Sequence, residues 1–132
     1  MQKKEREFSP GFRLNLTDIH ILVCGSGLAF FLRETESELS ILTLTVVLHF
    51  FLFCNVFRIK RKKELIWMFV FLLLVAFTVI LGRPSFTVSI AISIAVSSYL
   101  IIKEIKEVDY HGIFWHRLNP NLRLWWDEQI KA

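Results

Sequence analysis

The stretch Arg58-Ile59-Lys60-Arg61-Lys62-Lys63-Glu64 lies between two long apolar runs, 39–57 and 65–81. Each run approaches the length that a helix needs to cross a bilayer, because about 20 residues at a rise of about 1.5 Å cover the hydrocarbon core of about 30 Å. Five positive charges between two such runs are typical of a membrane hairpin whose tip faces the cytoplasm. This stretch, called the basic island below, therefore predicts a membrane protein and orients it.

The composition of the 132 residues also favours an apolar environment. Hydrophobic residues make up 54% of the chain, including 13 Phe, and a water-soluble domain of this size has too little interior to bury them. The formal net charge is +4, but the positive residues flank the apolar runs instead of covering one polar face. The sequence thus argues against nucleic-acid binding, and its two cysteines form no zinc or disulfide framework.

Two further apolar runs complete a predicted transmembrane domain over 17–102. The run 17–32 is the shortest and would measure about 24 Å as a helix. The run 86–102 follows a Gly-Arg-Pro-Ser turn, in which Gly suits a helix end and Pro a helix start. The expected fold class is an all-α membrane protein with four transmembrane helices, at about 17–32, 39–57, 65–81 and 86–102. An N-terminal tail, 1–16, precedes them, and an interfacial aromatic C-terminal tail, 103–132, follows.

The distribution of basic residues predicts that both termini are cytoplasmic. If both tails share the side of the basic island, only Arg33 and Arg83 of the 16 Lys and Arg residues lie on the opposite side, as the positive-inside rule requires. An interfacial first run would leave three spans and place the basic N-terminal tail outside. We expect a multi-pass protein, in the cytoplasmic membrane if the source is bacterial. Five residues would determine topology and contact anionic lipid headgroups: Arg58, Lys60, Arg61, Lys62 and Lys63.

Small residues recur every four positions in the first and fourth runs. Such spacing lets helix backbones approach closely in lipid. The predicted helix-packing residues are Ser85, Ser89, Ser93 and Ser97, with Ala91 and Ala95 alongside, and Gly25 and Ala29. The serine face has two interpretations, packing within the chain or docking to another subunit.

Two histidines, His49 and His20, lie in or near apolar runs, where ionisable residues suggest function. Either could be an axial ligand to haem or a chlorin, although for His49 a structural role, hydrogen-bonded to a neighbouring helix, is the favoured interpretation. His20 and Cys24 are four residues apart, and Cys24 and His49 would lie at a similar depth of about 10–12 Å. A His/Cys cluster that includes Cys54 is therefore compatible with the sequence, but no cofactor is required by it.

The sequence predicts no enzyme, because no nucleophile motif, phosphate-binding loop or paired-carboxylate motif is present. A small transporter is disfavoured since no Asp or Glu lies in the core of an apolar run. The leading hypothesis is a small non-catalytic accessory subunit that stabilises a larger membrane complex, for which photosynthetic or respiratory electron-transfer complexes are candidate hosts. The alternative is an electron-transfer module that uses His49 and His20. Candidate partner anchors are Trp115, Arg123, Trp125 and Trp126.

Overall fold

The computed structural model describes residues 8–131, and this part of the chain contains helices and turns but no strands. The helices are α1 (Leu16–Leu32), α2 (Ser37–Phe51), α3 (Arg61–Leu81), α4 (Phe86–Ile105), α5 (Trp115–Leu118) and α6 (Leu122–Lys131). A π-helical segment, Leu52–Val56, continues α2. The predicted all-α fold class is confirmed for the described residues.

Three of the helices are long and apolar enough to cross a membrane. They are Ser37–Val56 with 20 residues, Arg61–Leu81 with 21 and Phe86–Ile105 with 20. The remaining apolar helix, α1, has 17 residues. Only 17% of the apolar window of α3 is buried inside the chain, so most of its side chains need an apolar surrounding that water does not supply. This architecture agrees with the predicted membrane class.

Two helices extend beyond the predicted apolar runs at their polar ends. α3 begins at Arg61 instead of residue 65, and α4 ends at Ile105 instead of residue 102. The prediction placed boundaries where hydropathy falls, but backbone hydrogen bonds continue a helix into polar surroundings. Glu64 in the first turn of α3 and Lys103 in the last turn of α4 have the charge signs that the helix dipole favours there. Four of the seven residues of the basic island therefore lie in a helix and not in a loop.

Helices α1 and α2 form a closely packed antiparallel hairpin. A Cβ atom added to Gly25 would lie 2.4 Å from Cγ2 of Val47, so a larger residue fits only if α2 moves. Nearer the turn, the Ser40 hydroxyl donates a hydrogen bond of 2.6 Å to the carbonyl oxygen of Ala29, which is buried. Both Gly25 and Ala29 thus face α2.

A tight turn makes α3 and α4 antiparallel neighbours. Gly82 ends α3 in the left-handed conformation, with φ of 67°, which glycine adopts without steric cost. At the start of α4 the Ser85 hydroxyl accepts the backbone N–H of Val88 at 3.5 Å. The buried apolar core draws on α2, α3, α4 and the connection after α2: Leu42, Phe53, Ile59, Trp67, Phe71 and Leu100.

A folded cap covers the end of the bundle where α2 finishes. It consists of residues 8–15 and 106–131. The last carbonyl groups of a helix lack partners within the helix, and the cap supplies them: the Arg13 N–H donates to the Asn55 carbonyl at 3.1 Å, and the Ile113 N–H donates to the Val56 carbonyl at 2.8 Å. The N-terminal segment and the C-terminal tail therefore meet at the end of the bundle that carries the basic island.

The centre of the cap is tightly packed around Tyr110. Its hydroxyl donates to the Ile113 carbonyl at 2.9 Å, and burial together with the charge of Glu104 raises the pKa of Tyr110 to about 12. A Cβ atom on Gly112 would lie 2.4 Å from the carbonyl oxygen of Phe57. The close approach of the tail to the end of α2 requires glycine at this position.

Candidate functional site

The serine face of α4 points into the bundle. Ser93 is 0% exposed, and Ser89 and Ser97 are also buried. Each hydroxyl meets a polar side chain of another helix, and the three pairs are Ser89 with Thr78 at 2.8 Å, Ser93 with the Trp67 indole N–H at 3.0 Å, and Ser97 with His49 at 3.0 Å. Ser85 instead caps the helix. The buried serines hold α4 against α2 and α3, so they are not available to another subunit.

Both ring nitrogens of His49 are engaged within the chain. Nδ1 lies 2.8 Å from the Thr45 carbonyl oxygen, which can only accept, so Nδ1 carries the proton. In the neutral ring Nε2 can only accept from the Ser97 hydroxyl, and the Ile94 carbonyl oxygen, 2.9 Å from that hydroxyl, competes for the same proton. The ring also stacks on Trp67, with centroids 4.3 Å apart. Ligation of haem or a chlorin by His49 would require the Ser97 hydrogen bond to break.

The other predicted cofactor residues do not join His49. His20 is exposed on α1, where its Nδ1 lies 2.7 Å from the Leu16 carbonyl oxygen, and Cys24 is exposed on the same helix. The Cys54 thiol lies 3.9 Å from a carboxylate oxygen of Glu64. Within residues 8–131, no three His, Cys, Asp or Glu side chains are close enough together to hold a metal ion.

The basic island divides into paired and outward-facing residues. Lys60 forms ion pairs with Glu107 and, at 2.9 Å, with Asp109. Lys63 forms ion pairs with Glu104, at 2.7 Å, and with Glu107. We call these five residues the ion-pair cluster.

Two basic residues of the island, Arg61 and Lys62, are exposed and lie outside the ion-pair cluster. Arg61 is 83% exposed, and its one acidic neighbour, Glu64, lies 3.9 Å away. Lys62 is exposed as well. Arg61 and Lys62 are therefore the residues of the island most available for the predicted contact with lipid headgroups, because Lys60 and Lys63 already have carboxylate partners.

The ion-pair cluster shifts the protonation of its outer members. Burial alone would lower the pKa of Lys60, but hydrogen bonds and charge from Glu107 and Asp109 outweigh it and raise this pKa above its usual value. The two lysines that bond to Glu107 lower the pKa of its carboxyl group. Both groups are therefore held in their charged forms. The sequence signal for this cluster was the acidic pair Glu104 and Glu107, one helical turn apart beside the tail.

Three of the four predicted partner anchors lie against the Phe8 ring in the cap. The Phe8 ring makes edge contacts with Trp115 at 5.7 Å and Trp126 at 5.6 Å, measured between centroids. The Arg123 guanidinium lies 6.0 Å from the same ring centroid. Trp125 is partly exposed. Three of the four anchors thus hold the N-terminal segment of this chain in place, and Trp125 contributes least to these contacts.

The chain turns sharply after α2 and brings Arg58 to the N-terminal segment. Arg58 has a left-handed backbone conformation, with φ of 49°, which is uncommon outside glycine. Its guanidinium donates to the Ser9 carbonyl oxygen at 2.6 Å. A pocket of about 60 Å³ lies beside this contact, lined by Phe8, Ser9, Pro10, Arg58, His111 and Trp126.

No protein-family model, curated protein or solved structure matches this chain.

Proposed function

We propose that the chain is a small, non-catalytic, multi-pass membrane protein with four spans and both termini on the cytoplasmic side. The segment 12–29, most of which is α1, runs beside α2 from the Phe12–Phe51 ring contact, 5.9 Å between centroids, to the Ala29–Ser40 hydrogen bond. The two helices therefore cover a similar depth. A helix of 17 residues is about 26 Å long, and local bilayer thinning accommodates the small mismatch.

The proposed topology can be tested by cysteine labelling. In a variant whose native cysteines are replaced by alanine, single cysteines at Arg13 and Glu34, which flank α1 and are both exposed, should react with an impermeant thiol reagent from opposite sides of the membrane. Reaction of both from the same side would contradict the four-span arrangement.

We propose further that this protein is an accessory subunit that packs against a larger membrane assembly. The supporting observation is a second small-residue stripe on α4, opposite the buried serines. Its members are all exposed: Thr87, Ala91, Ala95 and Ser98. Small side chains at this spacing let a helix of a partner approach the backbone closely in lipid, where packing drives association. We call this the outer stripe.

The outer stripe gives a direct test with a matched control. Ala95→Leu adds bulk at the centre of the stripe, whereas Ala76→Leu makes the same change on the exposed side of α3. We expect the first variant to lose co-migration with a large complex in mild-detergent native electrophoresis, and the second to keep it. Mass spectrometry of the co-migrating proteins would identify the host. A wild-type chain that migrates alone, or an A95L variant that stays in the complex, would refute the proposal.

The haem or chlorin alternative has less support, because His49 is already bonded on both nitrogens. His20 keeps one ring nitrogen without a bond among the described residues, but a single ligand on an exposed face does not define a pocket. An optical spectrum of the purified protein separates the two hypotheses. A Soret or chlorin band that disappears in His49→Leu would favour the electron-transfer module over the accessory subunit.

A further inference from the structure

Arg58 differs from the paired lysines of the basic island because no carboxylate in residues 8–131 pairs with it. Its guanidinium is half-buried and uses Nη1 on the Ser9 carbonyl oxygen. Burial lowers the pKa of Arg58, and the positive charge of Arg13 nearby lowers it further. Two like charges at a partly desolvated site are unfavourable unless an anion joins them.

The pocket beside Arg58 is rich in donors. The guanidinium has five N–H donors and uses one of them on Ser9. The indole N–H of Trp126, another lining residue, is buried and has no acceptor among the described residues. His111 contributes a ring whose Nδ1 is bonded to the Asp109 carbonyl oxygen. No acidic side chain of residues 8–131 lines the pocket, so among these residues nothing supplies the acceptors and the negative charge that a ligand would bring.

The size and position of the pocket further restrict the chemical class of ligand that it can bind. A volume of about 60 Å³ holds about four to six water-sized positions, which is enough space for a phosphate group. A planar guanidinium recognises phosphate oxygens well. Phe8, Pro10 and Trp126 supply apolar walls, and the pocket lies at the end of the apolar bundle, where headgroups would be found if the helices span a bilayer.

We propose that this pocket binds a phosphate ester, the headgroup of an anionic phospholipid, through Arg58. The proposal does not depend on the accessory-subunit function. It assigns to Arg58 a specific ligand site, whereas Arg61 and Lys62 are exposed and do not line this pocket.

Native mass spectrometry of the detergent-purified full chain tests this inference. The probes are phosphatidylglycerol and a diacylglycerol with the same acyl chains, which lacks the phosphate. Arg58→Gln should weaken phosphatidylglycerol binding by at least about tenfold, the equivalent of one charge-assisted hydrogen bond. The matched control is Lys62→Gln, which removes the same charge from an exposed position and should change binding by less than about twofold.

Two further measurements are needed to interpret the result. His111→Ala alters the pocket wall without touching the Ser9 contact and should also weaken binding, so it decides the question if Arg58→Gln does not fold. Displacement of the lipid by millimolar inorganic phosphate would keep the anion site but identify free phosphate as its source. Equal binding of diacylglycerol, or wild-type phosphatidylglycerol binding by both pocket variants, would overturn the proposal.

Discussion

Lys63→Met is expected to be strongly destabilising because it leaves a buried carboxylate without a cation. Glu104 is 2% exposed and Lys63 only 16%, and they are 2.7 Å apart. Methionine keeps most of the apolar stem but removes the ammonium group. Glu107 still has Lys60 as a partner, so the loss falls mainly on Glu104. Removal of one member of a buried ion pair costs about 3–5 kcal/mol, a large part of the roughly 5–15 kcal/mol that stabilises a typical protein.

Unfolding of the purified protein by denaturant titration in micelles, followed by circular dichroism, measures this loss. Lys62→Met is the matched control, since Lys62 is exposed one residue away and its loss should stay within about 0.5 kcal/mol. The double variant Lys63→Met, Glu104→Leu removes both charges and should recover much of the stability, because a well-packed apolar pair often replaces a buried ion pair at little cost.

Two results would refute this reasoning. One is a Lys63→Met variant no less stable than Lys62→Met, which would mean that Glu104 finds water or another partner. The other is a double variant whose loss equals the sum of the single losses, because that additivity is expected only of residues that do not interact.

Three further predictions concern the cap, the helix hairpin and the buried network. Two lysine partners lower the pKa of Glu107. The stabilising contribution of Glu107 is therefore present above about pH 4.5 and disappears as the pH falls further. In a plot of Tm against pH, Glu107→Gln should reduce the fall of Tm at acid pH. Gly25→Ala should cost about 1–3 kcal/mol through overpacking against the neighbouring valine of α2, whereas Gly27→Ala, with nothing within 4 Å of the new Cβ, should be neutral or slightly stabilising in the same unfolding assay. Ser97→Ala breaks an interhelical bond to the buried histidine and should cost about 0.6–1.7 kcal/mol. The Ser98 hydroxyl bonds within its own helix, so Ser98→Ala should cost less. Equal losses would show that the interhelical bond contributes nothing.

The sequence was sufficient to predict the helices of the bundle. An apolar run has to satisfy its backbone hydrogen bonds internally when water is absent, so its length and hydropathy specify a helix before any neighbour is known. The runs 39–57, 65–81 and 86–102 therefore correspond to α2, α3 and α4. Their polar ends were predicted less well, because hydropathy does not register that Lys63 or Glu104 can remain helical while a partner neutralises its charge.

Contacts between distant parts of the chain were decided only by the tertiary structure. The serine face and the outer stripe of α4 look alike in sequence, because both present small residues. Only the positions of Trp67 and His49, on the neighbouring helices, determine which of the two is buried. Likewise Lys63 and Glu104 are 41 residues apart.

The basic island shows the same division. Its charge and its place between two apolar runs were evident in the sequence. They predicted that the island lies at the end of the bundle where α2 finishes and α3 begins. Which of its residues are neutralised depends on where α4 and the tail bring their acids, and the structure pairs Lys60 and Lys63 but leaves Arg58 beside a pocket. Hydropathy is a sum over neighbouring residues, whereas an ion pair depends on the packing of helices that are remote in sequence.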